Sequence, residues 1–226
     1  MHSVTLTLND TPVTGREGMT ILEVARANGV DIPTLCYLKD LSPVGCCRLC
    51  VVEVEGSRTL VGSCHTPVTR GMVVRTNSPK VLDTRRILVE LMLASHPDSC
   101  IVCDEANSCE LRQIAADLNI GLPRFRTKKH YIPVEDENPN IIRDLSKCIL
   151  CRRCVTACQK IKGENLFSIG YRGFASKIVY GLDEPIGSKE ACLDCDTCVS
   201  LCPTGALRKP VKVGKEKTGP ALFVKG

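Results

Sequence analysis

Two runs of four cysteines constrain this chain more than any other feature. Cys148, Cys151, Cys154 and Cys158 form one run, and Cys192, Cys195, Cys198 and Cys202 the other; both read C-x2-C-x2-C-x3-C and start 44 residues apart. Two further groups precede them. Cys36, Cys46, Cys47, Cys50 and Cys64 come first, and His96, Cys100, Cys103 and Cys109 follow with the spacing H-x3-C-x2-C-x5-C. The opening MHSVTLTLND shows no basic n-region and no apolar h-region, so no secretory signal is visible. The expected compartment is the cytoplasm, where structural disulfides are rare and clustered cysteines bind metal. Aromatic residues are only 4% of the chain, with no tryptophan, so the core lacks bulky rings and metal ties are expected to help hold it.

The repeated run is the pattern of a two-cluster bacterial ferredoxin, in which the fourth cysteine of each run serves the other cluster. Three closely spaced cysteines wrap one cubane in a loop, while the fourth starts a helix that points away. The spacing therefore assigns Cys148, Cys151, Cys154 and Cys202 to one 4Fe–4S cluster, and Cys192, Cys195, Cys198 and Cys158 to another. Pro203 matches the proline that ends the motif, whereas Gln159 departs from it in the first copy. A double zinc ribbon would usually separate two C-x2-C knuckles by a long spacer, which these runs of four do not. Cys36, Cys47, Cys50 and Cys64 read C-x10-C-x2-C-x13-C, the shape of a plant-type 2Fe–2S site with a longer first loop. Gly45 would let backbone approach that cluster. Cys46 is left over and is expected to be a small packed residue. His96, Cys100, Cys103 and Cys109 suit a structural zinc ion or a third 4Fe–4S cluster, and the runs downstream favour iron–sulfur. One 2Fe–2S and three 4Fe–4S clusters would take fifteen cysteines and one histidine. His2, His65 and His130 read most simply as non-ligand histidines, with a donor role near the 2Fe–2S site as the lesser alternative for His65, next to Cys64.

The sequence divides accordingly into small α+β modules. Residues 1–78 are expected to form a β-grasp 2Fe–2S domain. Val4, Leu6 and Leu8 alternate as a half-buried strand, Asn9-Asp10 turns into a second strand around Pro12–Thr14, and Thr20 caps a helix carrying Ile21, Leu22, Val24 and Ala25 that stops at Gly29. Residues 79–121 are expected to be a small helical domain holding the histidine-ligated cluster. Ser78 caps its first helix, Pro79 opens it, Val81, Leu82, Ile87, Leu88, Leu91 and Met92 give an apolar face, and His96-Pro97 ends it. Residues 122–140, with three prolines and mixed charge, read as a solvated linker. Residues 141–208 form the two-cubane ferredoxin-like domain, with a strand pair at Asn165–Ile169 and Lys177–Tyr180. Residues 209–226 are a basic tail.

The order of modules carries a resemblance over residues 3–208. A β-grasp 2Fe–2S site, a cubane with one histidine ligand and a two-cubane ferredoxin resembles the N-terminal region of the large iron–sulfur subunit of respiratory complex I. It is similar also to the N-terminal regions of iron-only hydrogenases and of NAD-dependent formate dehydrogenase large subunits. A large catalytic domain follows in those families, whereas this sequence stops about twenty residues after Pro203. It therefore looks most like the diaphorase iron–sulfur subunit of NAD-reducing, bidirectional or electron-bifurcating hydrogenases. That resemblance implies a flavoprotein NAD(H)-oxidising subunit, a small 2Fe–2S subunit and a hydrogenase module, or a formate dehydrogenase module, as partners.

No G-x-G-x-x-G follows a strand, and neither a Walker motif nor H-E-x-x-H is present, so no catalytic residue is assigned. Hydride transfer needs a nicotinamide or flavin site. The chemistry expected is single-electron relay through clusters tuned by charge, hydrogen bonds to sulfur and exposure. The longest apolar stretch, Ile87 to Ala94, is interrupted by Glu90 and is too short to span a membrane. The formal charge of +5 invites nucleic-acid binding, but oxidised clusters would add about −7 and offset it, so no nucleic-acid partner is expected. Two other classes compete: a zinc-stabilised interaction protein, and a fragment of a larger enzyme. Iron content and colour separate the first from an electron relay, and a natural stop codon after Gly226 would argue against the second.

Overall fold

The computed structural model describes residues 2–97, 100–127, 129, 131–186, 190–192 and 195–210. Strand β1 (Ser3–Leu8) alternates as its sequence demands, with Val4, Leu6 and Leu8 buried. Asn9 and Asp10, at φ 48° and 65°, reverse the chain into antiparallel β2 (Thr11–Arg16). These are residue types that tolerate the left-handed region. Thr20 then caps helix α1 (Ile21–Ala27) in a capping box: the Glu23 N–H donates to Thr20 Oγ1 at 3.3 Å, and the Thr20 N–H donates to Glu23 Oε2 at 2.7 Å.

Strands β3 (Val51–Val54), β4 (Val61–Gly62) and β5 (Val73–Arg75) complete a five-stranded sheet in the order β2-β1-β5-β3-β4. Only the β1–β5 pair is parallel. Leu6, Leu8, Ile21, Leu22, Val24, Val52 and Val74 form the core between sheet and helix, and Cys50 and Cys64 sit at its edge.

Helix α2 (Pro79–Ser95) starts at the Ser78 cap and ends at His96. Its buried face is the expected one only in part: Val81 is buried and Leu82, Leu88 and Met92 pack against the core, but Ile87 and Leu91 are exposed (41% and 49%), while Arg85 and Glu90 are buried with Val89 and Ala94. The two buried charges have polar partners. Arg85 Nε and Nη2 donate to the carbonyls of Leu49 and Val51 at 3.0 and 2.8 Å, and Arg124 closes over Glu90 through bonds of 2.6–3.0 Å. Helix α3 (Glu110–Asp117) packs on α2, with Leu111 and Ala115 buried beside Val89, Leu35 and Leu49.

The last module opens with β6 (Ile142–Arg143) and helix α4 (Arg153–Lys160). The hairpin β7 (Phe167–Gly170) and β8 (Lys177–Tyr180) follows, then the short helix α5 (Thr197–Ser200) and β9 (Leu207–Arg208). Antiparallel pairing of β6 with β9 sets Ile142 against Arg208 and Arg143 against Leu207, so the stretch after Cys202 lies beside the stretch before Cys148.

Residues 131–140 are not a loose connector. Glu135 and Arg143 exchange backbone hydrogen bonds at 2.8 and 2.9 Å, and the Ile132 N–H donates to Ser146 Oγ at 2.8 Å. Of the basic tail, residues 211–226 lie outside the described residues, as does His130; Lys209 pairs with Asp196 at 2.6 Å. Among the described residues no helix is long and apolar enough to cross a membrane.

Candidate functional site

All sixteen cysteines are free thiols. The first set lies on the loop between α1 and β3 and on the turn after β4. Cys36 is in side-chain contact with Cys47, and Cys50 with Cys64, and these pairs are close enough for Cys64 to sense the charge of Cys36 and Cys47. Hydrogen bonds from Cys46 and then Cys47 pull Cys36 down to about 2, and one from Cys64 pulls Cys50 down to about 6. Such a set favours thiolate on one member of each pair. The Leu35 N–H donates to Cys47 Sγ at 3.4 Å. Gly45 takes φ +68°, and a Cβ there would meet only His65 at 3.8 Å, so its glycine serves the turn. His65 Nδ1 lies 3.4 Å from Cys64 Sγ.

Cys46 is not packed inside, contrary to expectation. It is exposed, and its thiol donates to the carbonyls of Leu150 and Cys151 at 3.7 and 3.4 Å, while touching Cys36. Cys46, which follows Gly45 at φ +68°, thus touches both the first cysteine set and the Cys148 run of the last module.

Sequence reasoning did not single out Arg85, which is 4% exposed and holds the carbonyls on either side of Cys50. Its position in an apolar helical stripe was the available signal. Arg85→Met leaves both buried carbonyls without donors and is expected to destabilise the N-terminal module by about 3 kcal/mol. Thermal melts should show that module unfolding first; an unchanged melt would remove this role.

The second set gathers at the C-terminus of α2. His96, Cys100, Cys103 and Cys109 line one cavity together with Lys147 and Thr204. The His96 ring is 8% exposed, and burial holds its pKa below the ordinary histidine value, so it is neutral. Nδ1 lies 3.2 Å from the Pro97 carbonyl, which places its proton there; Nε2 is buried and has no partner among the described residues. A buried lone pair facing three thiols is the donor an incoming metal requires.

The third and fourth sets are crossed between the runs. Cys148, Cys151, Cys154 and Cys202 ring one cavity, and Cys158, Cys192, Cys195 and Cys198 another. Leu150 and Arg152, at φ 55° and 64°, curl the first loop, and the N–H groups of Leu150 and Leu207 donate to Cys148 and Cys202 Sγ, each at 3.4 Å. Burial pushes Cys148 up to about 11 and Cys151 and Cys198 to about 12. Thiolates in these cavities therefore need a cationic group to sustain them. Among the described residues no three His, Cys, Asp or Glu side chains converge on a single-ion site. The donors stand around a space, which fits a multi-atom cluster.

Hydrogen bonds sew the sets together. Arg153 grips Glu110, which follows Cys109, with Nη2 at 2.9 Å from Oε2; the Glu110 N–H donates to the Pro203 carbonyl at 2.9 Å, and Thr204 Oγ1 donates to the Lys147 carbonyl at 2.8 Å.

Comparison with known proteins finds three family models along the chain. Residues 1–79 match the 2Fe-2S iron-sulfur cluster binding domain, residues 85–124 the NADH-ubiquinone oxidoreductase-G iron-sulfur binding region, and residues 147–206 the 4Fe-4S dicluster domain. The gamma subunit of NAD-reducing hydrogenase HoxS from Cupriavidus necator is 32% identical over 206 residues, covering 91% of this chain and 86% of that protein. The chain belongs to the family of this iron–sulfur gamma subunit. Other relatives are longer. The chain is 42% identical over 214 residues to the NADP-reducing hydrogenase subunit HndD of Solidesulfovibrio fructosivorans, and spans 36% of its length. It is 36% identical over 206 residues to a subunit of an NADH-quinone oxidoreductase from Rhizobium meliloti, and spans 24% of it. A crystal structure of an NAD+-reducing NiFe hydrogenase in the H2-reduced state contains a chain that superposes with a TM-score of 0.81 at 29% identity, covering 96% of this chain and 90% of that one. The family thus brings 2Fe–2S and 4Fe–4S binding domains to the cysteine sets described above.

Proposed function

We propose that this chain is a non-catalytic electron-relay subunit of an NAD(P)-linked hydrogenase. It passes single electrons between a flavoprotein NAD(H)-oxidising subunit and a hydrogenase module, with a small 2Fe–2S subunit as a further partner. In this reading Cys36, Cys47, Cys50 and Cys64 would hold one 2Fe–2S cluster. His96, Cys100, Cys103 and Cys109 hold a 4Fe–4S cluster. Cys148, Cys151, Cys154 and Cys202 hold a second, and Cys158, Cys192, Cys195 and Cys198 a third, in a two-cubane module. When bound, such clusters supply one-electron chemistry at potentials tuned by charge, hydrogen bonds and exposure.

The observation that carries the reading is the orphaned Nε2 of His96 beside Cys100, Cys103 and Cys109. A structural role for that ring would spend both nitrogens on hydrogen bonds. Here the chain fixes the tautomer through Pro97 and leaves the second lone pair for metal. Sixteen free thiols suit a reducing compartment, so the reading keeps the subunit in the cytoplasm. The likeness to the NADH-quinone oxidoreductase protein of Rhizobium meliloti supports the same relay role in a complex I-like enzyme as the second reading.

Metal analysis of the anaerobically purified chain tests the cluster set. The expected content is about 14 iron per chain (2 + 3 × 4) with little zinc. About four zinc and no iron would overturn it.

A further inference from the structure

Among the described residues three arginines of the last module, Arg143, Arg153 and Arg208, each leave one buried nitrogen without a partner, and the first two are themselves buried. The Arg143 side chain, on β6, is 3% exposed, and that of Arg153, at the start of α4, is 8% exposed. An unpaired buried donor costs about 1–3 kcal/mol, more on a charged group, so a fold rarely leaves one. Arg143 directs Nε and Nη2 to Glu135 Oε1 at 3.0 and 2.5 Å, and Nη2 also reaches the Glu184 carbonyl at 3.3 Å. Arg153 uses both terminal nitrogens on Glu110. Arg143 Nη1 and Arg153 Nε have no partner among the described residues. Both side chains line the cavity ringed by Cys148, Cys151, Cys154 and Cys202, as does the exposed Arg152. Among the described residues no arginine lines the cavity of Cys158, Cys192, Cys195 and Cys198; Lys162, Glu164 and Glu190 line it instead.

We propose that Arg143 and Arg153 aim their spare N–H groups at the sulfur-rich group in the first cavity and make it easier to reduce than the group in the second. Each cavity would then have its own part in the relay: the first is where an electron rests within the module, the second where it passes on. This rests on the cluster reading given above. The physical argument has two parts. An N–H donated to a sulfur and a nearby positive charge both favour an added electron. The carboxylate partners do not cancel this. Glu110 and Glu135 are 44% and 30% exposed, so their charge is screened by water, while the guanidinium edges face a dry cavity. In the second cavity Lys162, Glu164 and Glu190 are all exposed and together carry one net negative charge, screened by water. The step itself is one electron passing from a reduced iron–sulfur cluster of the same complex; no bond forms or breaks and no proton moves.

The test is a potentiometric titration of the full chain with its clusters, followed by electron paramagnetic resonance. Wild type is compared with Arg153→Gln, Arg153→Lys and Arg143→Gln, and Cys195→Ser identifies the signal of the second cavity. At the potential that half-reduces the first-cavity signal in wild type, each glutamine variant is expected to lower its reduced-to-oxidised ratio about tenfold, which is about 59 mV for one electron. The other signals should stay in place, and Arg153→Lys, which keeps the charge but loses the Nε–H, should give a smaller fall. The proposal is overturned by an unmoved titration, by an equal shift of all signals, or by a shift of the signal that Cys195→Ser abolishes. Loss of the first-cavity iron from all three variants would make the arginines structural and overturn it too. Absence of any 4Fe–4S signal from wild type would instead overturn the cluster reading itself.

Discussion

Replacing Cys202 by alanine is expected to empty a site whose other three cysteines lie about fifty residues earlier. The argument is one of position. Cys202 lies two residues beyond the end of α5 and lines the cavity of Cys148, Cys151 and Cys154. These stretches are otherwise held by the two-residue ladder of β6 with β9, the bond from the Asp144 N–H to the Ala206 carbonyl, the Thr204–Lys147 bond and the contact of Arg153 with the Leu201 carbonyl. Binding free energy at a metal site that is not preformed becomes folding free energy. Losing the fourth anchor therefore removes a cluster and also loosens both runs. Iron should fall from about 14 to about 10 per chain, with the signal of the Cys148 set lost and a lower melting temperature for the last module. If Cys202→Ala kept its iron, or removed the signal that Cys195→Ser also removes, the two sets would not be crossed.

Much of this arrangement is legible in the sequence because spacing and geometry are tightly linked in such loops. C-x2-C-x2-C bends one short loop around one space, and the next x3 step carries the fourth sulfur onto a helix; the structure groups the side chains in that crossed way. The alternation in β1, the Thr20 capping box and the Ser78 cap are local signals and reappear as local structure. What spacing could not reveal depends on long-range partners. On α2 the buried Arg85 reaches two carbonyls 34 and 36 residues away, an option invisible to a periodicity that counts arginine as polar. Cys46 looks like surplus in its own loop because its partners, the carbonyls of Leu150 and Cys151, are more than a hundred residues downstream. The connector looks solvated because Glu135 finds Arg143 only once the last module has folded.

The isolated chain, loaded with its clusters, is expected to be reduced by dithionite and left oxidised by NADH. The reason is electron count. NADH gives up a hydride, two electrons together, whereas each iron–sulfur site takes one. A flavin must divide the pair, and these 226 residues carry no dinucleotide-binding fingerprint where one would be held. The cavities point the same way: in each of the three that hold cysteine sets the thiols converge among apolar and a few charged side chains, a donor set that suits iron. Reduction by hydrogen should fail for a parallel reason, since the proposed clusters would take fifteen of the sixteen cysteines and Cys46 alone could not build a further metal centre. Adding a flavoprotein subunit should restore reduction by NADH, and adding a hydrogenase module should restore reduction by hydrogen. The measurement is anaerobic bleaching of the visible cluster absorbance, followed with each reductant in turn. Dithionite should bleach it fully, and NADH without a partner should leave it within a few per cent of the starting value on the order of minutes. Fast and complete bleaching by NADH alone would make this subunit a catalyst in its own right and end the reading of it as a wire.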